Sequence, residues 1–151
     1  MDAARALCAS AAGAALHYPF AMPTRRAARD RRPPLAVGHV HHRVADVVKA
    51  ADWYESLGMR RIWRDSDVAV LEIRGGTHMV LLPAKKRIAA GTEAPFDFIV
   101  DDVDAARSAC LKKGFKPGRM KRGSIHDSFD LTDPSGYRLT IHSSHASGEP
   151  V

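Results

Sequence analysis

Three histidines fall within one β-branched run, "VGHVHHRVADVV" at residues 37–48, and a further one, His142, closes the segment "YRLTIH" near the end of the chain. Histidine titrates near neutrality and is the commonest metal ligand, so His39, His41 and His42 can serve as ligands, as proton-transfer groups or as polar strand residues. Side chains alternate along a strand, and this separates the three. His39, His41 and Arg43 share one face, whereas Val40, His42 and Val44 share the other, which a helix is expected to cover. His39 and His41 are thus expected to line a pocket, and His42 to be a packing or surface residue on the helix side. A carboxylate stands out in "PFDFIV" at residues 95–100, where Phe96, Phe98 and Val100 form a core face and Asp97 must point away from it. Asp97 with His142 makes a candidate general-base pair. A salt bridge from Asp97 to Arg138 or Arg43 is the alternative.

These side chains need a scaffold to converge. Residues 39–44 read as a strand, Asp46 can cap a following helix "VVKAADWYESLG", and Gly58 can close it. Val47, Ala50, Ala51, Tyr54 and Leu57 form that helix's apolar stripe. Three short strands follow in "RRIWRD", "DVAVLEI" and "THMVLLPA", the last two joined at Gly75-Gly76. The order then returns 56 residues later: "PFDFIV" under "HVHHRV", Asp102 under Asp46, Ala106 under Ala50 and Gly114 under Gly58. The second helix, "VDAARSACLKKG", precedes expected strands in "FKPGRMKRG", "IHDSFDLT" and "YRLTIHSS". A longer loop raises the offset to 60, which sets "YRLTIH" under "THMVLL". The chain thus reads as an α+β domain over 37–145, built from two β-α-β-β-β modules at 37–83 and 94–145 that form a curved mixed sheet around a cleft.

Paired modules of this kind, "H-x-x-x-R-V-x-D" ahead of a helix ending in "WYESLGM", and "SFDLTDPSGYRLTIH" together resemble the vicinal oxygen chelate superfamily. That superfamily includes glyoxalase I, fosfomycin-resistance transferases, bleomycin-resistance proteins and extradiol dioxygenases. The resemblance implies ligands on the first and fourth strands of each module, which map here to His39, Val80, Pro95 and Thr140. Only His39 is a good ligand: Val and Pro carry no side-chain donor, and a neutral hydroxyl is a poor replacement for Glu. The family's usual metal site therefore reads as dismantled. A displaced site of His39 (or His41), Asp97 and His142 would offer the nitrogen and carboxylate donors that Zn, Mn, Ni or Fe accept, and a metal-free cleft is the other reading.

Two function classes follow. One is a glyoxalase-like lyase, isomerase or transferase acting on a small oxygen-rich or carbonyl metabolite. There His39, His41, Asp97 and His142 are the catalytic candidates, and Arg43, His78, Arg138 and Thr140 the substrate-binding ones. The other is a metal-free protein that sequesters a small molecule or drug, as bleomycin-resistance proteins do. The family resemblance also implies a homodimer, its clefts completed by modules of both subunits.

Composition narrows the partners. The chain has 151 residues, 26% of them charged and 45% hydrophobic, with a net charge of +6. Residues 1–36 hold six arginines against two aspartates, whereas residues 37–151 hold 17 basic and 15 acidic side chains. The basic character thus lies mostly outside the repeat and says little about its ligand. The run Lys112, Lys113, Lys116, Arg119, Lys121, Arg122 can attract an anion or simply be solvated. No nucleic-acid reader accompanies it, and no apolar run nears the roughly 20 residues of a membrane helix. Residues 1–36 read as a disordered Ala/Arg-rich tail, with a weak targeting segment or an early start site as alternatives, and 146–151 as a flexible tail. With only Cys8 and Cys110, no disulfide framework is expected, which points to the cytoplasm. Cys110 is expected to be a small buried helix residue.

Overall fold

The first module forms as its pattern dictates. Strand β1 (His39–Val44) leads into helix α1 (Val47–Leu57), and strands β2 (Arg60–Arg64), β3 (Ala69–Glu72) and β4 (His78–Pro83) follow. Asp46 caps α1 by accepting from the Lys49 amide at 2.9 Å, and Gly58, at φ 133°, ends it in a conformation that other residues rarely adopt. Val47, Ala50, Ala51 and Tyr54 of α1 pack onto Leu71 of β3 and Met79 and Leu81 of β4. The strands lie in the order β1-β4-β3-β2, with β1 parallel to β4 and the rest antiparallel. The computed structural model describes residues 35–144. Most of the expected tail 1–36, with Cys8, and all of 146–151 therefore lie outside the described residues.

The second module repeats this plan with two departures. Strand β5 (Phe98–Val100), helix α2 (Val103–Lys112), β6 (Ser128–Thr132) and β7 (Arg138–Ser143) form a sheet of order β5-β7-β6. Asp102 caps α2 through the Ala105 amide at 2.8 Å. Phe98 pairs with Ile141 as His42 pairs with Leu81, in agreement with the offsets of 56 and 60. The first departure is that only 98–100 of the expected strand 95–100 is strand. Glu93 pairs with Arg138, so five residues on one side span three on the other, and Pro95, which has no N–H to donate, sits in the resulting bulge. The second is that "FKPGRMKRG" forms no strand: Pro117 and Gly118 interrupt it, leaving a single bridge from Lys121 to Ser128. Among the described residues, each module thus contributes its own mixed sheet, one of four strands and one of three.

A buried polar knot joins the modules. His42 on β1 and Asp133 in the β6–β7 turn are both buried, and His42 Nε2 lies 3.1 Å from Asp133 Oδ2. The Tyr54 hydroxyl donates to the same oxygen at 3.2 Å, while the amides of Ser135 and Tyr137 donate to Oδ1 at 2.8 and 2.9 Å. Every oxygen of the carboxylate is satisfied, which is the condition for burying it at tolerable cost. Burial, and then Asp133, raise the Tyr54 hydroxyl far above its ordinary value, so it stays a donor. Phe96 and Tyr137 pack against the His42 ring at 5.0 and 4.7 Å. His42 is therefore a packing residue rather than a surface one.

Candidate functional site

The faces away from the helices carry the polar residues. On β1, His39, His41 and Arg43 are exposed while His42 and Val44 are buried. His39 pairs in register with His78 on β4, and their rings lie 5.6 Å apart, with His41 6.5 Å from His39. Arg43 Nη1 donates to the Pro83 carbonyl at 3.2 Å, across the same pair of strands.

The second sheet carries a denser site. Asp97 Oδ2 lies 3.3 Å from His142 Nε2, so the carboxylate pairs with the imidazole rather than with Arg138 or Arg43. His142 Nδ1 is buried with no hydrogen-bond partner among the described residues. Asp97 itself is mostly exposed and, with Glu93, Arg138 and Thr140, lines a polar cleft of about 460 Å³. The bulge at Pro95 sets this cleft, because it lifts Asp97 off the β7 ladder just before pairing resumes at Phe98.

Residues beyond those predicted contact these side chains. Asp130 on β6 accepts from Lys121 Nζ at 2.6 Å and from Thr140 Oγ1 at 3.1 Å, and Arg138 Nη1 lies 3.9 Å away. Burial opposes ionisation of Asp130, but Lys121, Thr140 and Arg138 prevail and hold its carboxyl below the usual range. Arg138 also bonds Glu93. His126 packs 5.2 Å from His142 and hydrogen-bonds the Ser143 carbonyl through Nδ1 at 2.7 Å, partly buried rather than on the surface. Asp130 was detectable, since "SFDLT" interrupts a core face between Phe129 and Leu131 just as "PFDFIV" does. Nothing in the local pattern around His126 distinguishes it from a loop residue.

A family model described as Glyoxalase/Bleomycin resistance protein/Dioxygenase superfamily matches residues 36–141. The chain belongs to this superfamily. Several solved structures share its fold. Lactoylglutathione lyase from Agrobacterium tumefaciens is 17% identical, covers 78% of this chain and 99% of its own, and superposes with a TM-score of 0.62. A glyoxalase/bleomycin resistance protein/dioxygenase from Alicyclobacillus acidocaldarius is 23% identical over 80% of this chain and 99% of its own, also at 0.62. TnmS3, an antibiotic binding protein from Streptomyces sp. CB03234, is 20% identical over 74% of this chain and 98% of its own, again at 0.62. No curated protein matches the sequence significantly.

The superfamily's metal can be tested against the donors present. At the four implied positions, Val80 and Pro95 offer no side-chain donor and Thr140 is engaged with Asp130. The displaced donors divide between the sheets: His39 lies with His41 and His78, and Asp97 with His142. Among the described residues, no group of three His, Cys, Asp or Glu side chains could hold a metal ion. No described helix is long and apolar enough to cross a membrane.

Proposed function

We propose that this superfamily member binds a small oxygen-rich or carbonyl metabolite in the polar cleft of the second module and exchanges a proton with it at Asp97. The observation that carries this reading is that Asp97, 3.3 Å from His142 Nε2, lines the same cleft as Arg138 and Thr140. His142 Nε2–H orients the carboxylate, and Asp97 can take a proton from carbon or oxygen of a bound ligand. Arg138 and Thr140 supply donors for the ligand's oxygens, where charge develops as the proton leaves. The reading routes no step through a metal. The face of exposed His39, His41 and Arg43 with half-buried His78 would close over this cleft from a second copy, making the active form a homodimer.

Proton exchange gives the direct test. With 2-keto and 2-hydroxy acids and the glutathione hemithioacetal of methylglyoxal as probes, loss of the carbon-bound proton signal in D2O is followed by NMR. The expected result is exchange that Asp97→Asn reduces by roughly 100-fold or more, with ligand binding retained. Binding without exchange, unaffected by Asp97→Asn, would replace catalysis with sequestration, as the name of TnmS3 suggests for that relative. Ligand binding or exchange that appears only with added Mn, Ni, Zn or Fe(II) would overturn the metal-free reading.

A further inference from the structure

The repeat pairs each place in one module with a place in the other. Where the Asp133–Gly136 turn meets β1 and α1, His42, Tyr54 and Asp133 fill the space as the buried knot. The related place, where the Arg74–Gly76 turn meets β5 and α2, has Phe98, Cys110 and Ile73 at the three equivalent positions. Both junctions are tied at their rims, though by different bonds. The Ala45 amide donates to Ser135 Oγ at 3.0 Å in the first, and Arg74 grips both oxygens of Asp101 at 2.7 and 2.8 Å in the second. Their interiors differ. A thiol replaces a phenol, and Ala109 stands where the first module has Trp53, so an apolar cleft of about 380 Å³ reaches Ile73, Phe98 and Cys110 in the second junction, whereas the cleft beside Trp53 at the first junction stops short of the knot.

Protein interiors are close-packed, so an apolar space of this size between core residues has the dimensions of a small-molecule site. Ile73, Phe98, Cys110, Phe129 and Ile141 form its apolar walls. Four charged residues line it as well. Glu72 is paired with Arg60, and Arg74 with Asp101. Lys113 alone has no carboxylate among the described residues; its Nζ donates only to the Ser56 carbonyl, at 3.0 Å. Its charge reaches the cleft: burial pushes the Cys110 thiol up, and Lys113 pulls it partly back. The apolar volume therefore comes with one uncompensated cation at its edge.

We infer that this cleft is a second ligand site, taking a small apolar carboxylate whose body lies against Ile73, Phe98 and Cys110 and whose carboxylate replaces the Ser56 carbonyl at Lys113 Nζ. It shares no lining residue with the polar cleft of Asp97, Arg138 and Thr140, so the two sites can be probed apart. The test is titration of the ¹⁵N-labelled full chain with 3-phenylpropanoate. Saturable shifts are expected at the amides of Phe98, Ala106 and Cys110, with those of Asp97 and Thr140 unmoved. Lys113→Met, at an exposed helix end where folding is unaffected, should weaken binding about tenfold, and the neutral 3-phenylpropanamide should bind the unaltered chain correspondingly less well. Cys110→Tyr, which restores the bulk of the counterpart, should abolish binding. No saturable shift at these amides, or equal binding by Lys113→Met and by the amide probe, overturns the inference. Neither result bears on proton exchange at Asp97.

Discussion

Asp130 gathers Lys121, Thr140 and Arg138 around one carboxylate, and that gives it a pH signature. Its folded-state carboxyl sits below the usual range, so protonation is harder in the folded than in the unfolded chain. The stabilisation is thus fully present above the unfolded value of about 3.9 and is lost as pH falls through the folded value. Asp130→Asn should cost about 1–2 kcal/mol at pH 7 and much less near pH 3, compared by urea unfolding at the two pH values. An equal cost at both would mean that the Lys121 and Thr140 contacts do not depend on the charge. At the same scale, His142→Ala should leave Asp97 without its orienting donor. Exchange at carbon should then fall by about tenfold with little change in unfolding, read from the D2O experiment and a thermal melt of the same sample. Alternation along strands made the outward turn of His39, His41 and Asp97 legible, and also the inward turn of His42. It could not reveal that His42 would meet Asp133, because a residue in a turn 91 positions away leaves no periodic trace.

The elements were the most legible level. Asp46 and Asp102, each followed by apolar residues at helical spacing, marked both helix starts, and each side chain accepts the expected amide. Asp46→Ala should destabilise the fold by about 1 kcal/mol, measured by chemical denaturation, whereas Asp46→Asn should cost a few tenths at most. What the pattern hid were the interruptions. A bulge depends on how many residues the neighbouring strand spends over the same stretch, and only the pairing of Glu93 with Arg138 beside that of Phe98 with Ile141 exposes it. Proline at position 95 was the one local warning. In "FKPGRMKRG" the repeat argued for a strand and Pro117-Gly118 argued against it, and local chemistry prevailed over the repeat.

For the molecule as a whole, the decisive contacts are the ones that cross between modules. Asp133→Ala removes the acceptor of His42 and Tyr54 and the anchor of its own turn, leaving His42 buried with neither ring nitrogen bonded. A loss of about 3–5 kcal/mol is expected, large enough to show as a fall in the thermal midpoint. If sedimentation shows a monomer at micromolar concentration, the histidine face of β1 and β4 is not shared with a second copy, and ligand binding then depends on the second module alone. The two junctions also bear on descent. A chain made of two similar halves suggests an ancestor in which one half paired with an identical copy, but neither present half can do so. Two first halves would each bury His42 opposite Ile73 with no acceptor, and two second halves would each bury Asp133 opposite Phe98 and Cys110 with neither imidazole nor phenol to meet it. Each half has become the obligate mate of the other, and separately expressed halves should associate as a mixed pair or not at all.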